Sequence, residues 1–432
     1  MSNLRTRREF GRDAALGGLA AWLATGTRAR GFQTPGERIN FACIGVGGKG
    51  DSDTADAARF GNIVAICDVD DNTLNSAAGK YPKAKKYHDY RKMLDEVAGE
   101  IDAVTVSTPD HTHAVAAAAA MQLKKHVFCQ KPMTHSIWEA RQLGELAREH
   151  KLATQMGNQG TADGGLRRSA AMVMSGVLGA VTEVHVWSNR PSWAQGVPRP
   201  AEKPVPANLD WDLWIGPAKP RPYGDGYHAF SWRGWWDFGT GALGDMACHT
   251  MNLPFMALDL RDPVALQAKT SGHNKDSYPK WSIIDYEFAA TDARPALKLT
   301  WYDGTKKPPA ELLPGIELDG SGSLFIGEKG KLYSPGDSGG NGRLIGVEPI
   351  EVDYPESPGH FEEFARAIKE GTPAMSSFPN YASPLTETVL LGNLAVWADG
   401  KRIEWDAKKL AATNAPELAE IIRPQYHNGY SL

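Results

Sequence analysis

Glycines placed directly after a short apolar segment constrain the fold of this chain more than any other feature. Residues 38–44 form a short and mostly apolar segment with β-branched Ile39 and Ile44, followed by glycine, a pattern typical of a buried strand. Gly45, Gly47 and Gly50 follow with the spacing G-x-G-x-x-G, and Gly48 lies in the same turn. This spacing allows a tight turn, close approach of the backbone to a pyrophosphate, and packing of a helix on the strand. We therefore expect a dinucleotide at a helix N-terminus.

The next apolar segment indicates which dinucleotide is bound. Residues 63–67 read as a second strand, which ends at Asp68. A carboxylate at this place accepts hydrogen bonds from ribose hydroxyls and repels a 2′-phosphate. The sequence therefore favours NAD over NADP as the cofactor. The other interpretation is that Asp68 caps the helix that follows.

Strand and helix patterns continue to alternate, which predicts a parallel, doubly wound sheet. The further strands are expected at 101–107, 126–129 and 152–155, and the helices at 114–123 and 137–149. Binding sites of such sheets lie beyond the carboxyl ends of the strands. The residues at those ends that we expect to bind cofactor or substrate are Thr108, Pro109, His113, Gln130, Lys131 and Asn158.

The second half of the chain has a different pattern. Strands are expected at 181–190, 263–270, 281–289, 296–302 and 323–327, and helices at 361–369 and 384–398. This order predicts an α+β domain with an open, mostly antiparallel sheet. We expect three regions: a leader at 1–30, a Rossmann domain at 36–160, and a substrate-binding and oligomerisation domain at 161–432.

Tryptophan is concentrated ahead of a predicted helix. Seven of the 13 tryptophans lie between residues 187 and 236, beside a proline-rich stretch. Aromatic faces suit sugar C–H groups, so Trp235, Trp236 and the polar His228 are candidate sugar contacts. The alternative is that the rings pin the proline-rich loop, and we favour this for Trp211 and Trp214.

Asp245 and His249 are four residues apart on a predicted helix and therefore share one face. A neutral imidazole can take the proton of an alcohol, and Lys131 can stabilise the resulting oxygen charge. Helix capping by Asp245 and a core position for His249 are the structural alternatives. Zinc binding with His228 or His185 is a third, but no complete ligand cluster is visible, and we expect no metal.

These motifs together resemble the glucose–fructose oxidoreductase, inositol dehydrogenase and MocA-like (Gfo/Idh/MocA) family over residues 36–428. The marks are the glycine motif, Thr108-Pro109 with His113, Lys131-Pro132, and the segment 244–249. The resemblance implies that Lys131 touches nicotinamide and substrate, that Asp245 and His249 do acid/base work, and that the chain forms homo-oligomers. Gln130 departs from the usual glutamate and removes a negative charge beside Lys131.

The first 30 residues carry six arginines against two acidic residues, Glu9 and Asp13, while the other 41 basic and 49 acidic residues leave a net charge of −8. Arg7-Arg8 and Phe10 resemble a twin-arginine export signal, although Gly11 and Arg12 depart from the usual pattern. The uncharged run 14–24 is too short to cross a bilayer core of ~30 Å and suits a signal peptide. A frayed basic terminus is the alternative.

The expected function follows from these features. A pI of about 6.3 argues against a nucleic-acid partner, and no stable membrane anchor is expected. We expect a periplasmic oxidoreductase that transfers hydride at a secondary alcohol of a sugar or glycoside, with tightly bound and internally recycled NAD. The alternatives are a glycoside hydrolase that works through a transient 3-keto sugar, and a sugar-binding protein with structural NAD.

Overall fold

A parallel sheet forms the first domain in the computed structural model, which describes residues 38–432. Its strands are β1 Ile39–Ile44, β2 Gly61–Cys67, β3 Lys85–Tyr87, β4 Ala103–Val106, β5 His126–Cys129 and β6 Thr154–Met156. They lie in the order β3-β2-β1-β4-β5-β6, with every neighbouring pair parallel. The prediction of a doubly wound sheet is confirmed, and the strand order reverses between β1 and β4. The leader at 1–30 lies outside the described residues.

Five helices cover this sheet: α1 Lys49–Phe60, α2 Asp71–Lys80, α3 Tyr90–Val97, α4 Asp110–Gln122 and α5 Ile137–Glu149. Helix α5 has the predicted bounds because Ser136 and Glu139 form a reciprocal capping box at its start. Helix α4 begins four residues earlier than predicted, since Pro109 takes the N-cap position. His113, which we expected at a strand end, therefore lies in the first turn of this helix.

A larger sheet forms the second domain. Its strands are β7 Val181–Trp187, β8 Ala265–Thr270, β9 Ser282–Phe288, β10 Leu297–Tyr302, β11 Gly322–Gly327, β12 Lys331–Pro335, β13 Arg343–Ile345, β14 Ile403–Asp406 and β15 Ala411–Ala412. The order is β13-β12-β11-β7-β10-β9-β8-β14-β15. Only β7 and β10 pair in parallel among these described strands, which confirms the open, mostly antiparallel sheet.

The remaining helices connect the two sheets. They are α6 Gly164–Met174, α7 Trp211–Ile215, α8 Gly241–Thr250, α9 Asn252–Leu258, α10 His360–Glu370, α11 Ser383–Trp397 and α12 Ala419–Ile422. Helix α11 packs against α5, α8, β8 and β9, and Glu387 accepts two hydrogen bonds from Arg141 on α5, at 2.6 and 2.8 Å. Helix α10 packs Phe361 and Phe364 on Phe128 of β5. The helices that carry the second domain therefore also complete the core of the first.

The proline-rich segment before α8 is held by aromatic packing. The rings of Trp211 and Trp214 stack with centroids 4.7 Å apart, and Trp211 Nε1 donates to the carbonyl oxygen of Arg221 at 2.8 Å. Both rings are buried, which agrees with their predicted structural role. Across residues 38–432, none of the helices combines the length and the apolar character that a membrane crossing requires.

Two helical glycines should respond oppositely to alanine. A Cβ at Gly392 of α11 would overlap the Tyr286 hydroxyl and stand 2.5 Å from Leu243 Cδ2, whereas a Cβ at Gly79 of α2 meets nothing within 4 Å. Gly392→Ala should lower the free energy of unfolding by about 1–3 kcal/mol through overpacking. Gly79→Ala should raise it by about 0.5–1 kcal/mol through helix propensity. Denaturant unfolding measures both, and equal effects would contradict this packing of α11.

Candidate active site and cofactor cleft

The glycine turn leaves room for a phosphate at the start of α1. Gly45 has φ +74°, and a Cβ there would stand 2.7 Å from the carbonyl oxygen of Ser107, while a Cβ at Gly50 would overlap Gly45. Gly48 is the N-cap and makes no side-chain capping bond, and a Cβ there would meet only open space. Gly47, Gly48 and Lys49 at the start of α1 line a cavity, and a helix N-terminus beside a cavity suits a pyrophosphate.

That cavity is a cleft of about 600 Å³ along the carboxyl ends of the first sheet. It spans the point where the strand order reverses, which is where such sheets bind dinucleotides. Of the residues predicted to bind cofactor, those that line it are Gly45, Gly47, Gly48, Asp68, Thr108, Pro109, His113, Gln130 and Lys131. Gly50 does not line it and packs beneath the turn instead. The residue set fits a dinucleotide.

Asp68 lines the cleft and also holds the glycine turn. Its Oδ2 accepts a hydrogen bond from the Val46 N–H at 2.9 Å, and its Oδ1 accepts one from the Asp70 N–H at 3.0 Å. Burial raises the pKa of Asp68 although both backbone hydrogen bonds oppose this. The helix cap that we considered for Asp68 is made by Asp70, which accepts from the Asn72 N–H at 2.9 Å.

Gln130 is paired with a buried carboxylate that the sequence did not reveal. Its Nε2 donates to Asp53 Oδ2 at 2.8 Å, and Ser107 Oγ donates to the same oxygen at 2.7 Å. Lys49 Nζ donates to the other oxygen of Asp53 at 2.6 Å. The negative charge that the family glutamate would carry is thus present on α1 rather than at residue 130.

Lys131 and Asp245 form an ion pair between the domains. Lys131 Nζ donates to Asp245 Oδ1 at 2.9 Å and to the Asp245 carbonyl oxygen at 2.8 Å. Arg233 Nε donates to the same carboxylate oxygen at 3.1 Å. Burial disfavours the charged carboxylate, but the two cations outweigh it and lower the pKa of Asp245 to about 2. Asp245 is therefore ionised at neutral pH.

His249 lies one turn after Asp245 on α8 and lines the same cleft. Asp245 and His249 are the only residues of this helix that are not fully buried, so they share the one open face of α8, as the i, i+4 spacing predicts. Both residues line a second cavity beside the cleft. Burial, followed by the charge of Lys131, lowers the pKa of His249 to about 3. The imidazole is therefore neutral at pH 7.

Two other histidines are held by backbone groups. His113 Nδ1 and Nε2 lie 2.8 Å from the carbonyl oxygens of Pro132 and Thr108, and burial lowers the pKa of His113 to about 4. Its ring lines the cleft wall but both nitrogens face the protein. His111 lies between the carbonyl oxygens of Trp214 and Phe238, which links α4 to the proline-rich segment before α8.

A second cavity of about 440 Å³ adjoins the cleft. The two share Lys131, Gln159, Phe230, Arg233 and His249, and the second cavity adds Gly160, Arg190, Ser192, Trp193, Asp245, Met246, Asp337 and Ser338. This mixture of charged, hydroxyl and aromatic groups suits a small polyhydroxylated molecule. Most of these residues lie on loops, and the sequence pattern gave no signal for Arg190, Asp337 or Ser338.

Of the four residues predicted to contact substrate, only His228 lines a cavity. His228 lines the cofactor cleft, with Nε2 3.1 Å from Asp70 Oδ2. Asn158 is buried, and its Oδ1 accepts a hydrogen bond from Ser376 Oγ at 2.6 Å. Trp235 Nε1 donates to the Gly226 carbonyl oxygen at 2.9 Å, and Trp236 stacks on Tyr278 with centroids 3.7 Å apart. The structure brings Asn158, Trp235 and Trp236 to neither cavity, because Asn158 is fully buried and both indole rings pack inside the fold.

The residues considered as further metal ligands are also engaged elsewhere. His185 lies 2.8 Å from Glu183 Oε1 and 3.0 Å from the Tyr302 hydroxyl, in the second sheet. Among the residues that the structure describes, no group of three His, Cys, Asp or Glu side chains could hold a metal ion.

Asp110 is a further carboxyl group of the cleft that sequence reasoning missed. It is buried in the first turn of α4, and Thr240 Oγ1 donates to its Oδ2 at 2.6 Å. Thr240 is the N-cap of α8, so this bond joins the cofactor side to the helix that carries Asp245 and His249. Burial raises the pKa of Asp110 to about 7, although the bond from Thr240 opposes the shift.

Comparisons with known proteins agree with this architecture. One family model, an oxidoreductase family with an NAD-binding Rossmann fold (Gfo/Idh/MocA), matches residues 39–158, and a second, the C-terminal alpha/beta domain of that family, matches residues 166–432. Inositol 2-dehydrogenase of Salmonella typhimurium is 28% identical over 125 residues, which are 28% of this chain and 37% of the relative. The chain thus spans little more than a third of the length of such curated relatives.

Solved structures share the fold at low identity. The WlbA dehydrogenase from Bordetella pertussis, in complex with NADH and UDP-GlcNAcA, has a TM-score of 0.62 and 17% identity, covering 85% of this chain and 99% of that chain. An inositol dehydrogenase homologue from Azotobacter vinelandii, complexed with NADH and myo-inositol, has a TM-score of 0.57 and 17% identity over 87% of this chain and 100% of that chain.

Asp53 should make a negative charge at residue 130 destabilising. In Gln130→Glu a second carboxylate would lie against a buried one, so the free energy of unfolding at pH 8 should fall by about 1–3 kcal/mol. The double variant Asp53→Asn, Gln130→Glu should recover most of this loss because it restores one charge and one amide. A Gln130→Glu protein as stable as the wild type would show that the pairing does not matter.

The raised pKa of Asp110 makes stability depend on pH. The folded value of about 7 exceeds the value of an unfolded aspartate, so the stabilisation present at low pH is lost as pH rises towards 7. Relative to Asp110→Asn, wild-type stability should therefore fall by about 2 kcal/mol between pH 5 and pH 7. Urea unfolding at both pH values measures this, and parallel curves for the two proteins would contradict it.

Proposed function

Because this chain belongs to the Gfo/Idh/MocA oxidoreductase family, we propose that it is an NAD-dependent oxidoreductase that acts on a secondary alcohol of a sugar or glycoside. The observation that carries the proposal is that the dinucleotide cleft and the polar cavity meet at Lys131 and His249. An alcohol bound at this junction faces the cofactor and both side chains at once. The NADH and sugar-type ligands in the structural neighbours support the substrate class.

The side chains at the junction have complementary tasks. Bound NAD supplies the acceptor for the hydride. The Lys131 ammonium donates a hydrogen bond to the substrate oxygen and stabilises the negative charge that develops there. Asp245 holds that ammonium in place, and Arg233 in turn donates a hydrogen bond to the Asp245 carboxylate.

His249 is the proposed proton acceptor because it is neutral and lies on the open face of α8. The lowered pKa of His249 keeps the imidazole neutral and able to accept the proton, and the side chain also borders the polar cavity. Lys131, Asp245 and His249 are therefore the proposed catalytic group, and the other cleft residues position the cofactor.

We propose NAD rather than NADP as the physiological cofactor. The Asp68 carboxylate lines the cleft and would lie close to a 2′-phosphate, which it repels when ionised. Asp68→Ala should therefore reduce the preference for NAD over NADP.

The proposed location is the periplasm, reached by the twin-arginine route. The arginine pair and the uncharged run of the leader support this. Free NAD is scarce outside the cytoplasm, so a cofactor that stays bound and is reoxidised within each turnover fits that location. A homo-oligomer is proposed on the family resemblance.

Lys131→Met tests the proposed chemistry. Reduction of the bound NAD within a single turnover, followed at 340 nm over a panel of free sugars and glycosides, should slow at least about 100-fold because an oxyanion-stabilising donor is lost. Lys329→Met changes an exposed lysine outside both cavities and should leave the rate unchanged. Equal rates for wild type and Lys131→Met would remove the lysine from the mechanism, and inactivity of the wild type on all sugars would favour structural NAD.

The fate of the substrate separates the two catalytic possibilities. Product NMR in deuterated water should show an oxidised sugar, or exchange between two sugars, for an oxidoreductase. Release of the aglycone with deuterium at a ring carbon would instead indicate glycoside cleavage through a keto sugar. Dependence on added NAD with stoichiometric release of NADH would contradict internal recycling.

A further inference from the structure

A short segment near residue 430 crosses from the second domain to the cofactor cleft. Tyr426 Oη donates to Glu139 Oε1 of α5 at 2.8 Å. The His427 N–H donates to the Pro217 carbonyl oxygen at 3.0 Å, and Asn428 Nδ2 donates to the Gly216 carbonyl oxygen at 2.8 Å. The segment 426–430 is thus fixed both to the first domain and to the loop that follows α7.

These bonds place Tyr430 in the cleft wall. Its ring lies beside Tyr90, with centroids 6.3 Å apart, and the guanidinium carbon of Arg91 lies 4.4 Å from its centroid. Arg91 is in turn held by Asp89, whose Oδ2 accepts from Nη2 at 2.7 Å. The Tyr430 ring is therefore attached to the start of α3 by aromatic and cation–π contacts, while part of it faces the cavity.

This part of the cleft is the adenosine half. In a sheet of this strand order, each half of the dinucleotide lies over one group of three strands, and Asp68 at the end of β2 marks the ribose of the adenosine. His88, Asp89 and Tyr90 follow β3 on the same side and line the same cavity. Lys131, which follows β5, and His249 lie at the nicotinamide half of the cleft. Tyr430 therefore lies on the side away from the proposed hydride transfer.

Resting on the proposed NAD-binding function, we propose that Tyr430 contacts the adenine ring of bound NAD and that the 426–430 segment retains the cofactor. Leu213, which also lines the cleft, belongs to the α7 region to which His427 and Asn428 are bonded. In this proposal, release of the adenosine half requires the segment 426–430 and the α7 region to move away together, because they are bonded to each other. Among related complexes, such contacts act mainly on the dissociation rate, which suits a cofactor that is not exchanged in each turnover.

The test compares ligands that carry one half of the cofactor each. After removal of any bound NAD, ADP-ribose and nicotinamide mononucleotide are titrated calorimetrically into wild type, Tyr430→Ala, Tyr430→Phe and Tyr354→Ala, the last being a tyrosine outside both cavities. Tyr430→Ala should bind ADP-ribose about tenfold more weakly, as expected for loss of one aromatic–base contact, and should release preloaded NADH correspondingly faster. Tyr430→Phe and Tyr354→Ala should behave as the wild type does.

Nicotinamide mononucleotide serves as the control for folding, because its binding should be equal in all four proteins. Wild-type affinity of Tyr430→Ala for ADP-ribose would overturn the proposal, and so would equal loss of both half-ligands, which indicates general damage rather than an adenine contact. These outcomes do not depend on sugar turnover. A protein that binds ADP-ribose through Tyr430 but oxidises no sugar would therefore refute the proposed reaction and leave this inference standing.

Discussion

The ion pair between Lys131 and Asp245 is the constraint on which the arrangement of the site depends. It joins the residue after β5 in the first domain to helix α8 in the second, and both side chains are largely buried, with 16% and 13% of their surfaces exposed. Removal of one partner from such a pair costs about 3–5 kcal/mol, because the other charge is left uncompensated. The charges that take part in the proposed chemistry therefore also fix the positions of the two domains relative to each other.

Several contacts outside the site keep Lys131 and Asp245 in position relative to each other. Helix α11 packs on both α5 and α8, and the bond from Thr240 to Asp110 ties the start of α8 to the start of α4. Lys131 donates to the main chain of α8 as well as to its carboxylate. A shift of α8 would break all of these contacts together, so the open face of the helix is presented to the cleft in one orientation.

The proline-rich segment before α8 also supports the site, although its many tryptophans suggest direct contact with a sugar. Trp235 and Trp236 lie close to helix α8 in the sequence, yet their rings pack inside the fold. The rings of this segment that reach the cavities are Trp193, Trp214, Phe230 and Trp232. Arg233 lies over Trp232 with its guanidinium carbon 4.2 Å from the centroid. Proximity in sequence was a poor guide here because the loop folds back on itself.

The sequence patterns by themselves determined the fold class, the glycine turn, and the shared helix face of Asp245 and His249, while the placement of Lys131 at the same site followed from the family resemblance. Strand and helix periodicity, caps and the i, i+4 spacing are properties of contiguous residues, which is why β5 and α5 were predicted to the residue. The short polar strands β3 and β12 to β15 were missed because they have little periodicity of their own. The tertiary structure alone decided that Asp53 pairs with Gln130, that Asp110 is buried beside Thr240, and that Tyr430 returns to the cleft. Each of these depends on burial and on segments far apart in the chain, which local patterns do not encode.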